Sequence, residues 1–162
     1  MLREILDASQ VTDSSELSIT ESIENICDDI IEPYTLIARA KGVVLYVDWS
    51  AAFIVTAPPK LLGKALSNIF SNAVRYTVSG GRLAVYCRGR SLYIENECEP
   101  IPEDKLSLLY EPFYRPDESR DRKTGGNGLG LYITKSILRL LELDYTFNQM
   151  SDPSGMRFIV NF

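Results

Sequence analysis

Histidine is missing from all 162 residues of the chain. Its absence argues against a zinc site, because imidazole is among the principal zinc ligands. Only three cysteines are present, Cys27, Cys87 and Cys98, with no CxxC spacing. An odd number in that arrangement fits reduced thiols better than a disulfide frame and points to the cytosol. No basic tract occurs, and a formal net charge of −5 with an isoelectric point near 4.8 argues against a nucleic-acid binder, whose affinity comes from clustered Lys and Arg. No apolar run approaches the roughly 20 residues that cross a bilayer, and no charged-then-apolar secretory pattern follows Met1. A soluble intracellular piece is the expectation.

What the chain does have is an ordinary globular balance, 45% hydrophobic and 24% charged. Its length suits a single domain with a sizeable core. Residues 62 to 77, LGKALSNIFSNAVRYT, are the most informative stretch. Leu62, Leu66, Ile69 and Ala73 form one helical stripe suited to a core. Asn68, Asn72 and Arg75, at i, i+4 and i+7, form a second, polar stripe. Asparagine is a poor helix former, so two of them one turn apart in an apolar segment suggest side chains held for a ligand. A phosphate-bound metal ion is one candidate.

Elsewhere the pattern predicts a short strand over residues 16 to 19 and an amphipathic helix from Thr20 toward Ala40, bent or interrupted at Pro33 and stopped by Lys41 and Gly42. Residues 43 to 49 and 53 to 56 read as a strand pair. Pro58 and Pro59 open the next helix. Residues 83 to 87 and 92 to 96 read as a hairpin, and a short helix is expected over 103 to 109. Residues 111 to 127 carry no hydrophobic period and read as a mobile loop. Leu129, Ile133, Ile137 and Leu141 then mark a last helix before strands over 145 to 149 and 156 to 162. Helices with one apolar face each, together with mostly hairpin-connected strands, predict an α+β layered sandwich.

The segment GGNGLGL, residues 125 to 131, combines backbone freedom with a helix start, where unpaired N–H groups attract anions. Its glycines follow GxGxG and no strand precedes them, so a dinucleotide fingerprint is not expected. Four segments taken in order are more specific. SNIFSNAVRYT (67 to 77), IENECEPIP (94 to 102), LYEPFYR (109 to 115) and GNGLGL (126 to 131) resemble the asparagine, first glycine, phenylalanine and second glycine boxes of one family. That family is the ATP-binding catalytic domain of bacterial sensor histidine kinases, within the group that includes the Hsp90 and MutL ATPases. The resemblance begins near Leu17 and runs to the end of the chain.

The resemblance implies a two-layer α/β sandwich of the Bergerat type, with a mixed, mostly antiparallel sheet covered on one face by three helices. It implies ATP and Mg²⁺ as ligands. Asn72 would hold the metal, with Asn68 assisting, and an amide oxygen is a suitable hard ligand. Hydrolysing relatives place a glutamate at the position of Asn68 as general base, a role that an amide cannot fill. Arg75 and Tyr76 would reach the phosphates and the nucleotide edge, and Arg115 resembles the lid arginine that meets the γ-phosphate. Gly126, Gly128 and Gly130 belong to the second glycine box; Ile101, Leu129 and Leu131 would line the adenine pocket. Phe113 and Tyr114 would anchor the lid when it closes.

The first glycine box departs from the family pattern. Asn96 stands where an aspartate accepts a hydrogen bond from the adenine amino group, and its carbonyl can accept the same bond. Cys98 and Pro100 replace two glycines, which closes positive φ to Pro100 and disfavours it at Cys98. Weaker nucleotide recognition is the expectation. The box is similar to the variant in Gram-positive kinases that answer antibiotics or peptides.

A histidine kinase phosphorylates a histidine on a separate dimerising hairpin, so this chain cannot label itself. Residues 1 to 14 are expected to be the tail of that hairpin and a connector, with the catalytic domain over 15 to 162. A short native N-terminal helix accounts for MLREILDASQ equally well. The expected partners are the dimerisation and phosphoacceptor domain of the same protein and a downstream response regulator, in a membrane-anchored homodimer whose catalytic domain is cytoplasmic. A nucleotide-binding module of the same fold with lost catalysis is the alternative, and an ATP-hydrolysing machine is disfavoured by Asn68.

Overall fold

Residue alternation in three adjacent strands decides which face of the sheet is covered. In β4 (Arg82–Arg88), β5 (Ser91–Glu97) and β7 (Ser154–Asn161), the register pairs Val85 with Ile94 and Ile94 with Phe158. The next inward pairs are Cys87 with Leu92 and Leu92 with Val160. All of these side chains are buried, because residues two apart in a strand share a face. The computed structural model describes residues 18–114 and 128–162.

Two further strands complete the sheet. β2 (Val44–Asp48) lies parallel to β4, and β6 (Asp144–Ser151) closes the other edge antiparallel to β7, giving the order β2-β4-β5-β7-β6. A separate two-stranded ribbon joins β1 (Ile19–Ser22) to β3 (Ile54–Ala57). On the outer face of the sheet, Tyr86 and Tyr93 stack at 4.9 Å between centroids, and the Tyr86 hydroxyl donates to Glu95 at 2.8 Å. Arg157 donates to the same carboxylate, so this face is amphipathic and open to solvent.

Three long helices cover the inner face: α1 (Ile23–Ala40), α2 (Pro59–Tyr76) and α4 (Gly130–Leu140). Between the last two lies α3 (Glu103–Leu106), continued as a 3₁₀ turn over Ser107–Tyr110. Helix α2 starts at Pro59, whose fixed φ suits a first helical position. Leu62, Ala65, Leu66, Ile69, Phe70 and Ala73 are all buried on it. Helix α1 ends at Gly42, with φ +73, the left-handed conformation that glycine reaches without a Cβ penalty. The α+β class and the mixed, mostly antiparallel sheet expected from the sequence are present. No helix among the described residues is long and apolar enough to cross a membrane.

Four expectations need correction. Residues 43 to 49 and 53 to 56 do not pair with each other; β2 joins β4 and β3 joins β1. Their shared β-branched composition fixes strand character but not partner; in β2 the half-buried Leu45 packs on the core beside the buried Leu83 of β4. The turn between them is tied to α1, since Trp49 Nε1 donates to Asp28 at 2.9 Å. The first strand occupies Ile19–Ser22, later than expected, and α1 accordingly starts at Ile23. Pro33 does not interrupt α1. It and Asp29, whose carbonyl loses a donor, are both exposed, so solvent can satisfy that carbonyl.

Leu66, 1% exposed, sits at the centre of the packed layer. Leu66→Ala is expected to lower the unfolding free energy by about 2–5 kcal/mol, read from urea denaturation. A second test concerns the thiols. Burial pushes the Cys87 thiol up to about 11 and raises that of Cys27 further. Both therefore stay protonated at neutral pH, where the thiolate is the reactive form. Alkylation of Cys27 and Cys87 should be slow in the native chain and become fast only on unfolding or above about pH 11.

Candidate functional site

Helix α2 separates its two stripes as the 3.6-residue period requires. Its apolar stripe faces the sheet, while Asn68, Asn72 and Arg75 line a cavity of about 880 Å³ between α2, α4 and the ends of β5 and β7. The start of α4 forms the opposite wall. Asn68 Nδ2 donates to the Gly130 carbonyl at 3.4 Å, leaving its own carbonyl oxygen as the acceptor available to a ligand. A methyl group at Gly130 would stand 3.6 Å from Asn72 Nδ2 and 4.0 Å from Asn68 Cβ. Glycine there keeps the helix start open beside the two carboxamides.

Helix α4 begins without a side-chain cap. The first N–H groups of a helix have no partner within it, and they carry the positive end of its dipole. At this cavity they form an anion site of the kind that phosphate occupies. The charged side chains agree. Lys41, Arg75 and Lys105 line the cavity against Glu99 alone among the described residues, a local reversal in a chain whose net charge is −5.

Lys41 is a residue that sequence reasoning passed over as a helix stop. Its ammonium donates to the Val74 carbonyl at 3.1 Å and to that of Arg75, capping α2 where Arg75 and Tyr76 leave it. Burial lowers its pKa below the ordinary lysine value. Gln149 was also missed; it accepts from the Ile101 N–H at 2.7 Å and holds the loop after β5 against β6. Only the three-dimensional pairing of β5, β7 and β6 reveals it.

The other predicted residues divide into two groups. Tyr76, Asn96, Ile101, Gly128, Leu129, Gly130 and Leu131 all line the cavity. Tyr76 is 43% exposed, whereas Leu129 is 3% and Asn96 7% exposed. Arg115 and Gly126 lie outside the described residues. Tyr114 also lines the cavity, while Phe113 is half exposed. Phe113 donates its N–H to the Gly128 carbonyl at 3.0 Å. A Cβ at Gly128, whose φ is +67, would fall 2.7 Å from the Phe113 carbonyl carbon. That close approach requires glycine and joins residues 113 and 128.

The first glycine box is built without positive φ. Among the described residues the only non-glycines in that region are Phe113 and Glu142. Cys98 instead pairs with the first residue of β7, its N–H donating to the Ser154 carbonyl at 3.2 Å. Its carbonyl accepts from the Ser154 hydroxyl at the same distance. Burial raises the Cys98 thiol, so it is a neutral wall.

An α+β sandwich with an uncapped helix start, two carboxamides and a buried amide around one cavity defines a nucleotide-binding domain. The chain belongs to the family of histidine kinase-, DNA gyrase B- and HSP90-like ATPases, whose model matches residues 57–162. It is 30% identical over 161 residues to the sensor histidine protein kinase HK06 of Streptococcus pneumoniae, covering 99% of this chain and 36% of that protein. It is 33% identical over 167 residues to the sensor histidine kinase CusS of Escherichia coli, covering 99% and 34%. Among solved structures, the mycobacterial sensor histidine kinase MprB superposes with a TM-score of 0.72 at 22% identity, covering 89% of this chain and 95% of that one. The chain thus spans about a third of the length of the curated relatives it matches. They come from a streptococcus and an enterobacterium alike, so they do not single out a Gram-positive subgroup.

Gly130 separates binding from folding. Gly130→Ala is expected to keep or raise stability by about 0.4–1 kcal/mol, since its φ is not positive and the added methyl meets only ordinary contacts. The same methyl fills the opening between Asn68 and Asn72. Calorimetric titration with a non-hydrolysable ATP analogue should show affinity falling by about tenfold or more, about 1.4 kcal/mol.

Proposed function

We propose that this chain holds ATP for transfer of its γ-phosphoryl group to a histidine on a separate dimerisation domain of a sensor kinase. The observation that carries the reading is the meeting of Asn68, Asn72 and the uncapped start of α4 around one cavity. In this reading the triphosphate lies against the α4 N-terminus, and Arg75 and Lys41 add positive charge beside it. Ile101, Leu129 and Leu131 supply the apolar walls of the base pocket, with Asn96 at its floor and Tyr76 at its mouth.

The donor set suits a hard cation. Among the described residues no group of three or more Asp, Glu, Cys or His is placed to hold a metal, so the protein offers carboxamide oxygens and leaves the rest to phosphate, as Mg²⁺ prefers. When bound to Asn72 with Asn68 one turn earlier, Mg²⁺ would neutralise phosphate charge. Neither asparagine can accept a proton near neutral pH, so water is not activated by α2 and ATP is kept for the acceptor. Arg115 is assigned to the γ-phosphate, and Gly126 to the second glycine box. The chemistry asked of the chain is positioning and charge neutralisation.

The remaining assignments concern the protein of which this chain is a piece. Residues 1 to 14 are read as the end of the phosphoacceptor hairpin and its connector. The full protein is read as a membrane-anchored homodimer that passes phosphate to a response regulator, with this domain in the cytoplasm.

The experiment is calorimetry with an ATP analogue and Mg²⁺, followed by labelled-ATP transfer to a fragment bearing the hairpin histidine. Asn72→Ala should weaken Mg²⁺-dependent binding and slow transfer by about 100-fold, about 2.7 kcal/mol at the transition state. Binding that is unaffected by Asn72→Ala contradicts the assignment, and steady ADP release without acceptor would favour a hydrolase. Nucleotide binding with no transfer to any acceptor would support the non-catalytic module.

A further inference from the structure

Asn96 is buried, lines the cavity, and has an amide nitrogen, Nδ2, with no hydrogen-bond partner. Buried donors are nearly always paired, because leaving one unpaired forfeits the bonds it makes to water. On the same strand face the Asn96 side chain meets the Cys98 thiol two residues on, a weak partner that leaves the amide's capacity largely unused. Its lateral neighbours in the register are Leu83 on β4 and Met156 on β7, exposed 0% and 4%. Two nearby polar groups, Thr77 on the cavity wall and Gln149 on β6, are already engaged. The Thr77 hydroxyl donates to the Ala73 carbonyl at 2.6 Å, and Gln149 accepts from Ile101 at 2.7 Å.

The backbone of Asn96, by contrast, is tightly held. Gly155 packs directly against its carbonyl oxygen, with no room for a Cβ. The side chain is therefore fixed in place but not in the choice of which end, C=O or NH₂, meets a ligand. A carboxamide carries one acceptor and one two-proton donor, and a half-turn about its last bond exchanges them.

The edge of adenine presents an N6–H donor beside the N1 acceptor. A 6-oxopurine presents the same pair exchanged, with O6 the acceptor and N1–H the donor. A carboxylate at this position has two acceptors and no donor, so it accepts from N6–H and repels O6. Resting on the nucleotide reading above, we propose that Asn96 reads the purine six-position in either orientation, so that this site binds 6-oxopurine nucleoside triphosphates as well as ATP. When the amide end turns to the cavity, Nδ2 donates to O6 of one base class or N1 of the other.

The test is calorimetry of the chain with ATP and with inosine triphosphate, whose base is a 6-oxopurine without a 2-amino group. The expected dissociation constants lie within about tenfold of each other, and Asn96→Asp widens the ratio by a further tenfold or so through weaker inosine triphosphate binding. A native ratio above about tenfold overturns the proposal, as does an Asn96→Asp chain that folds and keeps the native ratio. If that variant does not fold, the native ratio alone decides. Binding of ATP with rejection of inosine triphosphate removes this inference and leaves the site reading intact; binding of neither removes both.

Discussion

The packing of α2 against the start of α4 is the constraint on which the site depends. Two hydrogen bonds span it, from Asn68 Nδ2 to the Gly130 carbonyl at 3.4 Å and from the Thr134 hydroxyl to the Ala65 carbonyl at 3.4 Å. Around them Ala65, Leu66, Ile69, Leu129, Ile133 and Thr134 are all buried. The apolar contacts supply most of the stabilisation, since buried area contributes about 25 cal/mol per Å² and one hydrogen bond only about 1 kcal/mol net. The polar contacts supply alignment. They place the unpaired N–H groups of one helix beside the carboxamides of the other, and that adjacency cannot arise within either helix alone.

Charge then selects what enters. A chain of net charge −5 repels polyanions at a distance, yet its cavity collects Lys41, Arg75 and Lys105 beside a positive helix end. Within a Debye length of about 8 Å the local charges outweigh the distant ones. The same region is poor in groups that activate water. Asn68 and Asn72 can accept or donate hydrogen bonds without titrating, and Cys98 is kept neutral by burial. A site of this composition suits the proposed role, in which a reactive anhydride is held for an acceptor without being hydrolysed.

Much of this was legible in the sequence. The stripes on α2 follow from the 3.6-residue period, and Pro59 and Gly42 marked helix boundaries by their backbone preferences. The hairpin of β4 and β5 was legible from strict alternation. Strand partners were not, because Val44–Asp48 and Ile54–Ala57 have the same local character and separate only through burial against β4 and β1. Pro33 misled for a related reason: its cost depends on whether the freed carbonyl meets solvent, and the exposed side of α1 lets it. In the site, Asn96 was legible by motif, but its unpartnered amide and the clamp of Gly155 on its backbone exist only once β5 lies beside β7. Lys41 looked like a terminator and proved also to line the cavity.

The most direct test of the central claim is a backbone and side-chain amide chemical-shift map of the chain titrated with a Mg²⁺-bound ATP analogue. The account predicts that the largest shifts fall on the backbone N–H groups of Gly130, Leu131 and Tyr132 and on the side-chain amides of Asn68, Asn72 and Asn96. Shifts confined to the open outer face of the sheet, around Tyr86, Tyr93 and Arg157, with those six groups unmoved, would contradict it.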